Sequence, residues 1–222
     1  MTLTPRRATA IAGSIRTDDG TPVPFSPARL RIEPIVANAE SALPVWGAPR
    51  GEAPRADWTF RITGVNGAYL FRLTGLPDDW ALQAVTVGDR DYTDTPLTVA
   101  AGAPDVTGLQ LVLTHNGATV SGTVADAAGA PAPDASVMLF AEEPARWTLA
   151  SRYIKVARPD NAGKFRIAGV LPGVYRAVAR EAVTDGQWED PEFLQALLKD
   201  AVRVELAPRA DETLTLTIGP PR

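Results

Sequence analysis

Phe60-Arg61-Ile62-Thr63-Gly64-Val65-Asn66-Gly67-Ala68-Tyr69 is written twice in this chain. It returns one residue longer as Phe165-Arg166-Ile167-Ala168-Gly169-Val170-Leu171-Pro172-Gly173-Val174-Tyr175. In each copy Phe and Ile alternate with Arg at the two-residue period of a pleated strand, and the glycines supply the backbone angles of a tight turn. Each copy therefore predicts a strand, a Gly-bearing turn and a returning strand, that is, a β-hairpin. A hairpin cannot bury its apolar face alone, so the remaining sequence must supply covering strands, and must do so twice.

The repetition extends outward from this stretch. Gly13, Gly20, Pro22 and Pro24 recur as Gly122, Gly129, Pro131 and Pro133 at a constant offset of 109. A fixed period is the mark of internal duplication. A length of 222 residues then divides into two domains, 1–114 and 115–222, each large enough for its own core.

In the first repeat Ile11–Ile15 alternates as a strand, Asp18-Asp19-Gly20 turns it, and Ala28–Ile32 reads as a second strand with Arg29 and Arg31 on its outer face. Ile35–Ala56, rich in Pro and Gly and carrying Trp46, reads as an Ω-like loop. Trp80–Val87 is a further strand, Gly88–Pro96 a polar loop, and Leu97–Val99 and Leu109–Leu113 close the unit. Thr114–Gly117 is a short linker, which predicts two units end to end with little freedom. In the second repeat Val120–Val124 and Ser136–Phe140 are strands. Met138 and Phe140 stand where the offset places Arg29 and Arg31, so this outer face must be covered, with Trp147–Val156 the candidate cover. Asp190-Pro191-Glu192 opens a short helix as N-cap, N1 and acidic first turn, with Phe193/Leu197 and Leu194/Leu198 spaced to share a face. Val202–Leu206 and Leu214–Ile218 finish the unit. The predicted class is all-β: two tandem Greek-key β-sandwich domains of about seven strands each, with one short helix in the second.

Charge narrows the partners. There are 22 basic and 26 acidic residues, net −4, with 10 and 12 in the first half and 12 and 14 in the second. Neither half has the one-sided field that nucleic acid or an anionic membrane requires. Cys is absent, which removes thiolate ligands and nucleophiles. Met1–Arg7 leads into a strand-like segment instead of an apolar h-region, so no secretory signal is expected in this sequence. No run approaches the ~18 apolar residues of a membrane helix.

The opening Val120-Ser-Gly-Thr-Val124 strand with Gly129, Pro131 and Pro133, and the stretch from Gly163 through Phe165, Gly169, Pro172 and Gly173 to Tyr175, resemble the carboxypeptidase regulatory-like domain. This is a transthyretin-like β-sandwich found beside metallocarboxypeptidase catalytic domains and, in bacteria, along secreted or surface proteins. The first repeat departs at Asp57-Trp58-Thr59, without the usual Gly, and at Val65-Asn66-Gly67, without Leu-Pro. The resemblance implies a tandem, non-catalytic module of an extracellular, cell-surface or periplasmic bacterial protein.

No catalytic or cofactor site is expected. His115 is the only histidine and lies in the linker, so neither a zinc peptidase site nor a Ser-His-Asp arrangement can be assembled around it. No metal site is expected either; the carboxylates that calcium would use are Asp89, Asp91 and Asp94 in the first repeat and Asp185, Glu189 and Asp190 in the second. Solvated turns are rich in Asp for their own reasons. Trp58, Trp80, Tyr92, Trp147 and Trp188 flank loops, where aromatic rings either pin a loop to the core or stack on a sugar. The expected role is a spacer, presentation or docking segment, with a protein partner or self-association through sheet edges or loops. A carbohydrate-binding module using the loop aromatics is the alternative.

Overall fold

The computed structural model describes residues 9–37, 49 and 52–218. Trp46 and most of the expected Ω-like loop lie outside them. The chain divides into two compact units: residues Met1–Leu76 with Leu82–Thr114, and residues Pro77–Ala81 with His115–Arg222. The five residues Pro77–Ala81 thus belong with the second unit although they precede it in sequence.

The first unit contains β1 (Ala10–Thr17), a 3-10 turn at Pro27–Arg29, β2 (Arg31–Val36), β3 (Thr59–Thr63), β4 (Gly67–Thr74), β5 (Ala81–Val87, all but its first residue), β6 (Arg90–Asp91), β7 (Leu97–Val99) and β8 (Val106–Thr114). One sheet runs β3-β1-β8-β5-β6 and the other β2-β4-β7. Their facing residues, including Ile11, Ile32, Phe60, Ile62, Phe71 and Leu111, are buried. The second unit contains β9 (Ala118–Ala125), β10 (Ser136–Ala141), β11 (Ile154–Ala157), β12 (Lys164–Val170), β13 (Gly173–Arg180), α1 (Pro191–Leu197), β14 (Val202–Leu206) and β15 (Asp211–Thr217). Its sheets run β12-β9-β15 and β11-β10-β13-β14. Both units are β-sandwiches, and among the described residues the one α-helix is in the second.

The repeated stretch is not a hairpin. β3 pairs with β1 and β4 with β2, while β12 pairs with β9 and β13 with β10. Each copy is an arch that carries the chain from one sheet to the other. Gly64 and Gly67 (φ +78° and +118°) make the corner in the first copy, and Gly169 (φ +62°) helps make it in the second. Val65 and Val170 are buried inside the bend. The tyrosine ending each copy then ties the corner shut. Tyr69 Oη donates to the Asn66 carbonyl at 3.0 Å and Tyr175 Oη to the Leu171 carbonyl at 2.7 Å. Burial pushes the Tyr175 phenol above its ordinary range.

The glycine at the start of each repeat has a shared cause. β1 lies parallel to β8 and β9 parallel to β15, so the first and last strands of each unit are neighbours. A Cβ at Gly13 would sit 2.0 Å from the Leu109 carbonyl oxygen, and one at Gly122 1.8 Å from that of Leu214. Only a residue without a side chain admits the neighbouring backbone so closely.

Three expectations shift. β2 starts at Arg31 and runs through Val36, so Ile35 is a strand residue and Arg29 lies in the 3-10 turn. Pairing places Ile35 opposite Leu70 and Phe140 opposite Arg176, one residue beyond tyrosines Tyr69 and Tyr175. The counterparts of Met138 and Phe140 are therefore Glu33 and Ile35, not Arg29 and Arg31. The outer face of β10 is covered in part by α1: Leu194 and Leu197 pack with Met138, Phe140, Trp147 and Val178 in a second apolar cluster. The expected cover shares this role, since Trp147 joins the cluster and Ile154 and Val156 of β11, which pairs beside β10, pack against it. Asp190 caps α1 as expected, its Oδ1 accepting from Glu192 N at 2.9 Å. Finally, β6 emerges from the expected polar loop, with Arg90 and Asp91 paired to Val87 and Thr86.

Candidate functional site

The acidic loop of the first unit is built into the fold. Asp91 Oδ1 accepts from Thr93 N at 2.7 Å and from the Thr93 hydroxyl, whose oxygen accepts Val85 N at 2.9 Å. From β4, Arg72 donates to the Thr93 carbonyl at 2.7 Å and pairs with Asp94 at 3.3 Å. These contacts strap the loop to the sheet beneath it. Asp89 sits exposed in the turn between β5 and β6. In the second unit Asp185 pairs with Arg158 at 3.6 Å, Glu189 lies in a 3-10 turn over Gln187–Glu189, and Asp190 is the helix cap. Among the described residues no group of three or more His, Asp or Glu side chains is placed to hold a metal ion.

The aromatic residues fall into two groups. Trp80 and Trp147 are buried. Trp147 Nε1 donates to the Ala141 carbonyl at 2.7 Å, and its ring meets Phe140 edge-on at 5.7 Å. Trp80 stacks on His115 at 4.9 Å between ring centroids. The others are half-buried: Trp58 lies edge-on to Phe25 at 5.6 Å, Trp188 packs against the cluster under α1, and Tyr92 Nα donates to Val85 O. The five side chains are thus spread over both units, and two of them serve the interior.

His115 is held from two sides. Its Nε2 pairs with the Asp79 carboxylate while Trp80 covers its face. The same short segment is anchored further, since Gly169 N donates to Asp78 O at 2.7 Å, Gly117 N to Asp79 O at 3.0 Å, and Arg166 Nη2 to Asp78 Oδ2 at 3.0 Å. The linker imidazole is a clasp for Pro77–Ala81, and nothing in the spacing of 36 residues between Asp79 and His115 announces the pair.

Sequence reasoning also missed a charged network on the second unit. Arg176 and Arg203 stand directly opposite one another on β13 and β14, an arrangement of like charges that costs stability unless something intervenes. Glu142 does so, with Oε1 2.5 Å from Arg176 Nη2 and Oε2 3.3 Å from Arg203 Nε. Partial burial pulls the Glu142 carboxyl upward, but the hydrogen bonds from Arg176 and Arg203 outweigh it and hold the group below its ordinary range. Arg180 pairs with Asp200 at 2.6 Å, and the Arg146 and Arg152 guanidinium groups lie 4.4 and 5.1 Å from the Tyr153 ring centre. The alternation of Arg176, Arg180 and Arg203 on their strands was the available signal. Taken together, the well-placed polar groups of both units bind to the chain itself.

No curated protein matches the chain by sequence. Among solved structures it is similar to a streptococcal ancillary pilin (13% identity, 98% of this chain and 64% of that one, TM-score 0.33). It is also similar to the shaft pilin of Lactobacillus rhamnosus GG (11% identity, 97% and 99%, TM-score 0.31). A third similarity is to the TIE protein of Bacillus anthracis (10% identity, 95% and 33%, TM-score 0.31). The chain spans about a third of the length of the Bacillus anthracis protein. Residues 119–218, which form the body of the second unit, match the carboxypeptidase regulatory-like domain family.

Proposed function

We propose that this chain is a non-catalytic structural and interaction segment of a secreted or surface protein, serving to space, present or dock other parts. The observation that carries the reading is the use made of the polar side chains. His115, Asp91, Asp94, Asp190, Glu142 and Arg176 each close a turn, cap a helix or neutralise a neighbour within the fold. The regulatory-like match over residues 119–218 supports the same reading. Binding would use exposed sheet edges and loops, where backbone donors and acceptors are free to take a partner.

Antibodies raised against the folded chain, applied to intact and to permeabilised source cells, test the location this role requires. Labelling of intact cells is expected; labelling confined to permeabilised cells would overturn the proposal. Quenching of tryptophan fluorescence by an oligosaccharide panel would instead favour sugar stacking on the half-buried rings of Trp58, Tyr92 and Trp188.

A further inference from the structure

The two units differ in one place that bears on how copies of the chain meet. In the first, β8 lies between β1 and β5, so both its edges are paired. β15 is the counterpart of β8: each runs parallel to the first strand of its unit and each presses a carbonyl against that strand's glycine. In the second unit, however, the stretch between β13 and β14, which corresponds to β5, has become α1 and covers the face of β10 instead. β15 is left at the edge of its sheet. Among the described residues no strand pairs with its outer side.

Which backbone groups this edge presents follows from the bonds on its inner side. Ile218 N donates to Ala125 O, and Thr119 N donates to Ala210 O, so even-numbered residues turn their backbone groups toward β9. The N–H and C=O groups of Asp211, Thr213, Thr215 and Thr217 therefore point outward. Chemistry also sets this edge apart. Of the described edge strands longer than three residues, β2 carries Arg31 and Glu33, β3 Arg61, β11 Lys155, β12 Lys164 and Arg166, and β14 Arg203 and Glu205. Charged side chains of this kind blunt an edge against pairing. On β15 the charges are confined to Asp211 and Glu212, leaving Thr213-Leu214-Thr215-Leu216-Thr217 uncharged and rich in β-favouring residues.

We propose that β15 is a self-association edge, on which a second copy of the chain adds its own β15 antiparallel about a two-fold axis at Leu214. This deepens the functional reading above by naming the partner and the surface, and rests on it. The register follows from the outward groups. Centring on Leu214 places Asp211 opposite Thr217 and Thr213 opposite Thr215, so all four outward-facing residues of each copy exchange backbone bonds. Charge selects the direction. In the antiparallel pair Asp211 meets Thr217 and Glu212 meets Leu216, whereas a parallel pair would set Asp211 on Asp211 and Glu212 on Glu212, like charges about one strand spacing apart. A two-fold contact of this kind closes on itself and stops at two copies. A single strand edge buries far less than the ~1,200 Å² of stable complexes, so the dimer is weak, with a dissociation constant on the order of 10–100 μM.

Sedimentation equilibrium of the full chain from about 1 μM to about 1 mM tests this, with amide hydrogen exchange at both ends of the range. The expected result is a monomer–dimer equilibrium in which the Thr213, Thr215 and Thr217 amides gain protection. Thr215→Pro removes one outward donor per copy without touching the β9 ladder, and is expected to weaken the dimer about tenfold or more. Should that variant misfold, a charge pair decides: T213K/T215K and T213E/T215E each place like charges opposite one another across the two-fold, so each alone stays monomeric and an equimolar mixture restores the dimer. A chain that stays monomeric to ~1 mM, or a dimer indifferent to both sets of substitutions, overturns the proposal. So does protection of these amides by a peptide of sequence Ala81–Val87 without any pairing of copies, which would assign the edge to a foreign strand. A monomeric chain that still labels intact cells would remove this inference and leave the functional reading standing.

Discussion

Gly122→Ala tests how the second unit is closed. A methyl group there would lie 1.8 Å from the Leu214 oxygen and 2.8 Å from its carbonyl carbon, with the Phe165 ring at 3.0 Å. Ordinary contact begins at 3.4 Å, so β15 would have to retreat by about 1.6 Å. Alanine has no rotamer to relieve this, and the nearest obstacle is backbone. A retreat of that size stretches neighbouring β9–β15 hydrogen bonds from about 2.9 Å to beyond a bonding distance. Losing two or three of them at ~0.5–1.5 kcal/mol each, and drawing Leu216 out of the core at ~1.5–3 kcal/mol, sums to about 2.5–7.5 kcal/mol. Urea denaturation followed by circular dichroism and tryptophan fluorescence measures it, with the two units allowed separate transitions. Gly13→Ala should act alike on the first unit, where the Leu109 oxygen would be at 2.0 Å. Gly129→Ala, with φ +85° and nothing within 4 Å of the new carbon, supplies the control at about 1–2 kcal/mol. A cost below ~1 kcal/mol for Gly122→Ala, with the β15 ladder still protected from exchange, would refute the argument that close backbone approach requires this glycine.

Tyr175→Phe leaves the Leu171 carbonyl without its buried donor and should cost about 1–3 kcal/mol by thermal unfolding, more than Tyr69→Phe, whose bond is longer (3.0 against 2.7 Å). Leu194→Ala hollows the cluster between α1 and β10 and should cost about 2–5 kcal/mol, with loss of the near-ultraviolet signal of Trp147. Glu142→Gln tests the charged network through its pH dependence. The folded carboxyl titrates below its ordinary 4.5, so its contribution is complete above that value and is lost as pH falls through the folded one. The melting-temperature gap between wild type and Glu142→Gln should therefore be open at pH 7 and close on acidification below 4.5; a gap that widens would contradict the assignment.

Much of the fold was legible because it is written locally. The alternation of Phe165 and Ile167, the Asp190-Pro191 cap and the breakers at offset 109 each act within a few residues of where they stand. What misled is non-local. A hairpin and an arch use the same strand-turn-strand letters, and whether β12 and β13 pair with one another or with β9 and β10 is decided by distant strands. The slip in β2 has the same origin, since its register is set by β4 and not by the offset from Met138. At the candidate site the residue types were legible and their use was not. Asp91 and Trp80 read as struts with a ligand role as the alternative, and His115 as an ordinary linker residue; the partners each one takes are set by distant residues.

The segment Pro77–Ala81 carries a lesson for anyone who would cut this molecule apart. Its Asp78 and Asp79 carbonyls receive Gly169 and Gly117, and its Trp80 lies on His115. A fragment beginning at His115 would therefore leave these donors orphaned and the imidazole bare. The second compact unit takes in five residues from upstream of the linker, so a cut made at the linker would divide it.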